Sequence, residues 1–182
     1  MKVIYYGLAA IGISFGAGAE CRLTATQNSI YLGEHDIGTL SQQPTLLHST
    51  PLQYQLNCDA PVRLQGFTLR ENRSQAEHRG GETPPSSYLN LSIDELRSDD
   101  GERIAFSLSP EDPSQTRLSN YPLPANSETL RIFTPNAASG RHFTLSLTVA
   151  NFAAPATQLR KQSRDLIPLS TQLQVSADYV EQ

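Results

Sequence analysis

Alternation of apolar and polar residues at every second position is the feature of this sequence that most limits its fold. Side chains of a β-strand point alternately to opposite faces, so this period predicts strands with one buried face. The longest stretches place the following residues on one face: Leu52, Tyr54, Leu56 and Cys58; Ile104, Phe106 and Leu108; Phe143, Leu145, Leu147 and Val149; and Leu173, Val175, Ala177 and Tyr179. With about eight such stretches, the chain is predicted to form two antiparallel sheets packed face to face.

Shorter strands and the turns between them complete this prediction. The shorter strands are "SIYL", "VRLQGFTL", "YLNLSI" and "TLRIF", and the second changes phase at Gly66, as a β-bulge requires. Turn-forming residues separate the strands, notably at "CDAP", "SDDGE" and "PNAASG". A helical period is limited to "ATQLRKQSRD", which predicts one or two turns. Twelve prolines disfavour an all-helical domain.

The first residues have the order of a secretory leader. Lys2 precedes an uncharged and mostly apolar stretch, and "AGA" at residues 17–19 supplies the small side chains of a cleavage site. We therefore expect residues 1–19 to be a signal peptide and residues 20–182 to form a single domain. A retained membrane anchor is the alternative, although the stretch is short for a span. No second long apolar segment follows, so no transmembrane segment is expected after cleavage.

The chain contains two cysteines, Cys21 and Cys58. Export to an oxidising compartment favours their pairing in a disulfide. An intermolecular bridge and a metal pair are the alternatives, but two cysteines without nearby histidines are poor zinc ligands. Because Cys21 begins the first strand and Cys58 ends another, the bridge would fasten the first strand to the second or to a neighbouring strand. Closing this loop should stabilise the fold by roughly 4 kcal/mol.

Charge and motif content argue against several function classes. The net charge of −4, without a Lys/Arg-rich run, argues against a nucleic-acid partner. No HxxxH motif is present, and the GxSxG match GISFG at residues 12–16 lies within the expected signal peptide, so we expect no enzyme and no catalytic, cofactor-binding or metal site. A Ser–His–Asp triad can be assembled from distant residues, which leaves a secreted hydrolase as an alternative. An acidic stretch lacks the ligand spacing of an EF-hand and is interpreted as a solvated turn; it contains Asp94, Glu95, Asp99, Asp100 and Glu102.

The order of these features resembles a chaperone–usher fimbrial subunit, or pilin. Cys21 is followed by "HDIGTL" and then by an alternating strand that ends at Cys58. The continuation "CDAPVRLQGFTLRENR" resembles more specifically an uncharacterised branch of fimbrial-type proteins. In that branch a proline, a strand and an Asp-Asn-Arg-like triplet follow the second cysteine; the triplet here is Glu71-Asn72-Arg73. The C-terminal stretch from "FTLSLTVANF" to "VSADYV" resembles the same branch, whereas residues 74–135 resemble it little.

This resemblance implies an immunoglobulin-like, pilin-type sandwich that lacks its final strand and keeps a hydrophobic groove open. In the family, a periplasmic chaperone lends a strand to that groove, and a neighbouring subunit's N-terminal extension later replaces it. The implied partners are therefore a chaperone, an usher and a neighbouring pilin, with a host receptor as a further candidate. The implied route runs through the bacterial periplasm to a fimbrium or the cell surface. One wall of the groove would be formed by Leu173, Val175, Ala177 and Tyr179.

Two details qualify the expected role. Only Glu20 stands between the expected cleavage site and Cys21, and one residue of about 3.3 Å cannot fill a groove. We therefore expect a tip, terminal or accessory subunit that accepts a strand without giving one. Pilins usually have an aromatic residue next to last, whereas Tyr179 here precedes three further residues. The alternative function is a self-contained secreted β-sandwich that binds carbohydrate or protein through its loops.

Overall fold

The computed structural model describes residues 19–31, 33–73, 86–108, 119–122, 129–160 and 171–182. The expected signal peptide therefore lies, except for Ala19, outside the described residues. The elements in chain order are β1 (Cys21–Ala25), a 3₁₀ helix (Ile37–Thr39), β2 (Thr45–Arg73), β3 (Ser87–Arg97), β4 (Ser119–Pro122), β5 (Thr129–Ala153), α1 (Ala156–Leu159) and β6 (Thr171–Glu181). The all-β prediction is confirmed, and α1 lies where the sequence predicted a helical turn.

All strand pairs are antiparallel, in the order β1-β2-β5-β3-β4, with β6 also paired to β2. Two long strands dominate this sheet: β2 has 29 residues and β5 has 25. β5 follows one edge of β2 along both of its halves. The other edge of β2 is shared, since β1 pairs with residues 54–58 and β6 with residues 62–73.

The two long strands contradict the turns predicted at "CDAP" and "PNAASG". Both stretches lie inside strands, and the β2–β5 ladder shifts register between the pairs Asn57↔His142 and Val62↔Gly140. Extra residues in β2 are accommodated by a bulge, after which the same two strands resume pairing. Turn-like composition therefore marks an interruption of the ladder and not a reversal of the chain. We call residues 58–61 of β2 and 140–142 of β5 the bend.

One hydrophobic core joins the halves of the sheet on either side of the bend. It contains Leu56 and Phe143 from one half and Phe67 and Ile132 from the other. β3 and β6, which share no ladder, also contact each other. The sheet therefore folds over into two layers that enclose the core, consistent with the predicted sandwich. The inward residues predicted for the longest stretches are buried in β2 and β5: Leu52, Tyr54, Leu56, Cys58, Phe143, Leu145, Leu147 and Val149.

The bulge predicted at Gly66 is confirmed. The register of β2 shifts between Leu64 and Gly66 against both β5 and β6, and Gly66 has a φ of 155°. A Cβ atom at this position would lie 1.8 Å from the carbonyl oxygen of Ile132, so a side chain has no room there. Beside the bulge, the Thr134 hydroxyl donates to the carbonyl oxygen of Leu64 at 2.6 Å.

Two of the predicted strands, "SIYL" and "RIAFSLS", do not form ladders among the described residues. The "SIYL" strand is wrong for the described residues 29–31, which belong to no strand and leave Tyr31 83% exposed. In "RIAFSLS", Ile104 and Phe106 are buried as predicted, but the segment pairs through single bridges and not through a ladder. Alternation therefore identified the buried face in this segment without determining how its backbone pairs.

Candidate functional site

The disulfide between Cys21 and Cys58 is confirmed, and it fastens β1 to β2 beside the bend. The two residues are direct partners in the β1–β2 ladder. Next to them, the backbone N–H of Glu20 donates to Asp59 Oδ1 at 2.8 Å, and the N–H of Asp59 donates to the carbonyl oxygen of Glu20 at 3.1 Å. The chain is therefore held in its own sheet from Glu20 onward.

β1 and β6 follow one another along the same edge of β2 and meet at the bend. Cys21 lies opposite Cys58, and Glu181 lies opposite Val62 on the far side of the bend. Because the sheet folds there, the two strands belong to opposite layers and border the same side of the sandwich. Their inward-facing residues define what we call the β1–β6 seam: Cys21, Leu23 and Ala25 of β1, and Leu173, Val175, Ala177 and Tyr179 of β6.

The seam is apolar but incompletely covered. Every seam residue contacts or belongs to the hydrophobic core, yet only Leu173 is buried, and the other six are half-buried. On the opposite face of β6, Gln174 and Ser176 are exposed. Within the described residues, β1 and β6 each pair on one side only, with β2. The seam therefore combines partly exposed apolar side chains with two strand edges available for pairing.

The four residues predicted as a groove wall thus lie on one face of β6 and take part in this seam. Their role as a partner interface stays a prediction. The second wall, β1, was not predicted, although Cys21, Leu23 and Ala25 in "CRLTA" have the same alternation. Five residues are a short pattern, and only the pairing with β2 shows which side of the sandwich β1 borders.

The two aspartates of the 98–102 turn accept hydrogen bonds from different parts of the chain. Asp99 accepts hydrogen bonds from the backbone N–H groups of Arg141, at 2.9 Å, and His142. Asp100 accepts from the Ser98 hydroxyl and from the N–H of Glu102, and these hydrogen bonds, the first above all, lower the pKa of the Asp100 carboxyl. The Asp99 carboxylate therefore stabilises the backbone of the bend, and the Asp100 carboxylate stabilises the turn.

The two acidic residues in β3 bond to neighbouring side chains. Glu95 pairs with Arg97 at 2.8 Å and with Arg103 at 3.5 Å. The hydrogen bond from Arg97, followed by the charges of Arg97 and Arg103, lowers the pKa of the Glu95 carboxyl. The Thr148 hydroxyl donates to Asp94 at 2.8 Å.

The described residues contain no group of three His, Cys, Asp or Glu side chains arranged to hold a metal ion. The histidines of the described part are His35, His48 and His142, and Nδ1 of His142 lies 2.9 Å from Asn57 Oδ1. His78 lies outside the described residues. No helix in this part of the chain is both long and apolar enough to cross a membrane.

Comparison with known proteins finds a distant structural similarity. Neither a protein-family model nor a curated protein matches this chain. Seven chains of solved structures match, among them the CupB6 tip adhesin from Pseudomonas aeruginosa, with 14% sequence identity and a TM-score of 0.34. The match covers 90% of this chain and 45% of the adhesin chain, so this protein spans less than half of that adhesin's length. The fold described above rests on the strand pairing of the chain itself.

Proposed function

We propose that this chain is a fimbrial-type cell-surface subunit that completes its sandwich by accepting a strand from another protein along the β1–β6 seam. The observation that carries the proposal is the half-buried state of Val175, Ala177 and Tyr179 on a strand that pairs, among the described residues, on one side only. The proposed role is assembly and adhesion, without catalysis.

An uncovered seam leaves apolar surface in water, which lowers the stability of the folded chain, and an added strand would bury that surface. Exposed apolar surface beside an unpaired strand edge promotes aggregation. A strand laid between β1 and β6 would supply backbone hydrogen bonds and would cover the half-buried side chains. Complete burial of a Val- or Leu-sized side chain contributes about 1.5–3 kcal/mol, so covering each half-buried residue would contribute about 1 kcal/mol. The seam contains no charged residue, which suits a strand with apolar residues at alternate positions.

The resemblance to chaperone–usher subunits suggests which proteins supply the strand. We propose a periplasmic chaperone first and a neighbouring subunit afterwards, with assembly at an usher and a host receptor as the target at the cell surface. The bonds between Glu20 and Asp59 occupy the first residue after the expected cleavage site. If residues 1–19 are removed, the mature chain accepts a strand but has none to give. This supports a tip, terminal or accessory position.

An appended strand tests the proposal. β6 ends beside the bend at Glu181, so a strand of about nine residues added after Gln182 through an Asn-Gly turn can return antiparallel along β6. With apolar residues at alternate positions, it should raise the melting temperature and shift the protein from soluble aggregates to monomer in size-exclusion chromatography. A fusion of equal composition without alternation is the control.

Two neighbouring positions of β6 provide a matched pair of variants. Ala177→Asp places a charge in the seam, whereas Ser176→Asp places the same charge on the exposed face. Ala177→Asp should abolish the gain from the appended strand, and Ser176→Asp should leave it. If the chain without the appended strand is a stable monomer and neither fusion changes its melting temperature, the proposal is wrong.

A second candidate function is supported by Tyr31. This side chain is 83% exposed between β1 and the 3₁₀ helix, and an exposed aromatic ring offers a face for packing against a sugar or a protein. Under this alternative, a self-contained sandwich binds its ligand through loops. Tyr31→Ala would then abolish binding on a glycan array while leaving the melting temperature unchanged.

A further inference from the structure

Asp99 joins the turn after β3 to the bend of β5. Its two carboxylate oxygens accept from consecutive backbone N–H groups, Oδ2 from Arg141 at 2.9 Å and Oδ1 from His142. The carboxylate also lies directly against Gly140, where an added Cβ atom would be 3.2 Å from Asp99 Oδ1. A single side chain thus contacts all three β5 residues of the bend.

These N–H groups belong to the place where the β2–β5 ladder is interrupted. Pairing steps there from Asn57↔His142 to Val62↔Gly140. The bend amides donate to the Asp99 carboxylate from outside the ladder, and hydrogen bonds to a charged acceptor are among the stronger ones in proteins. The bend is therefore held by the carboxylate as well as by the two strands.

The turn that carries Asp99 also connects the two layers. β3 before it belongs to one layer, and Ser107 after it exchanges two backbone hydrogen bonds of 2.8 Å with Phe133 in the other. β1 and β6 diverge from the same bend along β2. The angle at the bend consequently sets how far apart the seam's two walls lie.

We propose that Asp99 is a positioning residue that clamps the bend and thereby fixes the width of the β1–β6 seam. This inference takes the seam from the proposed function, but its test needs no captured strand. Without the carboxylate, the two bend amides lose their acceptor, the angle between the layers varies more widely, and the walls of the seam open more often.

Amide hydrogen exchange on the full chain tests this inference. Asp99→Ala should raise exchange rates about tenfold in β1 and β6, which are distant in sequence from the substitution. The control is Asp100→Ala, which removes an equal charge from the same turn but a carboxylate bonded within that turn. In this control, faster exchange should be confined to residues 98–102. Fluorescence of the dye ANS should rise with Asp99→Ala and not with Asp100→Ala.

The inference is overturned if faster exchange in Asp99→Ala is confined to residues 98–102 and 140–142, or if Asp100→Ala opens β1 and β6 equally. Should Asp99→Ala fail to fold, Asp99→Asn retains one acceptor oxygen and should show the same distribution with a smaller increase, against Asp100→Asn as control. The appended-strand fusion separates this result from the proposed function. If Asp99→Ala speeds exchange in β1 and β6 while the appended strand leaves the melting temperature unchanged, the clamp is supported and strand capture is contradicted.

Discussion

The β2–β5 ladder and the β1–β6 seam have the same alternating sequence pattern and differ in coverage. Leu145 and Leu147 of β5 are fully buried, whereas Val175 and Ala177 of β6 are half-buried. β5 lies between β2 and β3, while β6 pairs only with β2 within the described residues. Alternation thus identifies the face that points inward. How completely that face is covered depends on which strands pair with it on each side.

The largest effect is expected from breaking the ladder itself. Gly66→Ala would place a Cβ atom 1.8 Å from the carbonyl oxygen of Ile132, and β2 would have to separate from β5. We expect a loss of more than about 4 kcal/mol in unfolding free energy, measured by urea denaturation. Gly101→Ala is the control, because it also changes a positive-φ glycine but has no atom within 4 Å; it should cost about 1 kcal/mol. Equal stability of the two variants would contradict the tight approach at the bulge.

The next largest effect is expected from releasing the seam. Replacing both Cys21 and Cys58 by serine removes the link between β1 and β2, and the unfolded chain gains the entropy of a loop that spans 37 residues. The expected loss is about 4 kcal/mol or somewhat less. Hydrogen exchange should increase first in β1, and the β2–β5 ladder should remain protected. Protection of β1 equal to that in the oxidised protein would show that its backbone pairing suffices without the disulfide.

The same substitution, valine to alanine, in each region compares how much the burial of a side chain contributes to the unfolding free energy. Val149→Ala removes two methyl groups from a buried position in β5 and should cost about 2 kcal/mol. Val175→Ala removes the same groups from the half-buried face of β6 and should cost about 1 kcal/mol or less. With the appended strand in place, the cost of Val175→Ala should rise towards that of Val149→Ala. Equal costs in the unmodified chain would mean that the seam is already covered.

The smallest effect concerns the buried tyrosine of the ladder. Burial raises the pKa of Tyr54 from 10.0 to about 12. The contribution of its neutral form to stability is complete below pH 10 and declines as the pH rises towards 12. At pH 11, wild type should therefore lose about 1 kcal/mol relative to Tyr54→Phe, as measured by denaturation at pH 8 and pH 11. Equal losses of stability between pH 8 and pH 11 in wild type and Tyr54→Phe would contradict the burial argument.

Much of the fold could be predicted because its information is local. Alternation identified the inward faces of β2 and β5, and the phase change at Gly66 located the bulge. Continuity of the long strands could not be predicted, since "CDAP" and "PNAASG" have turn-like composition and only the long-range pairing of residues 62–64 with residues 138–140 resumes the ladder beside them. The "SIYL" prediction failed at residues 29–31 because a strand needs a partner, and none pairs with them in the described part of the chain.

In the candidate site, too, features set by local sequence could be predicted and long-range contacts could not. Cys21 and Cys58 could be paired from the sequence, and the face of β6 could be assigned from its period. The position of β1 beside the bend follows from long-range register, which no local pattern contains. The sequence shows Asp99 as one of several acidic residues near a turn, and nothing in it indicates that the carboxylate accepts hydrogen bonds from the backbone of residues 141 and 142.

Amide hydrogen exchange of β6 with and without the appended strand tests the central claim most directly. We predict that amides of residues 171–181 exchange rapidly in the chain alone and become markedly slower once the strand is added. Those of residues 143–149 in β5 should be slow in both proteins. If β6 in the chain alone is already as protected as β5 and the appended strand changes nothing, the sandwich is complete without a partner.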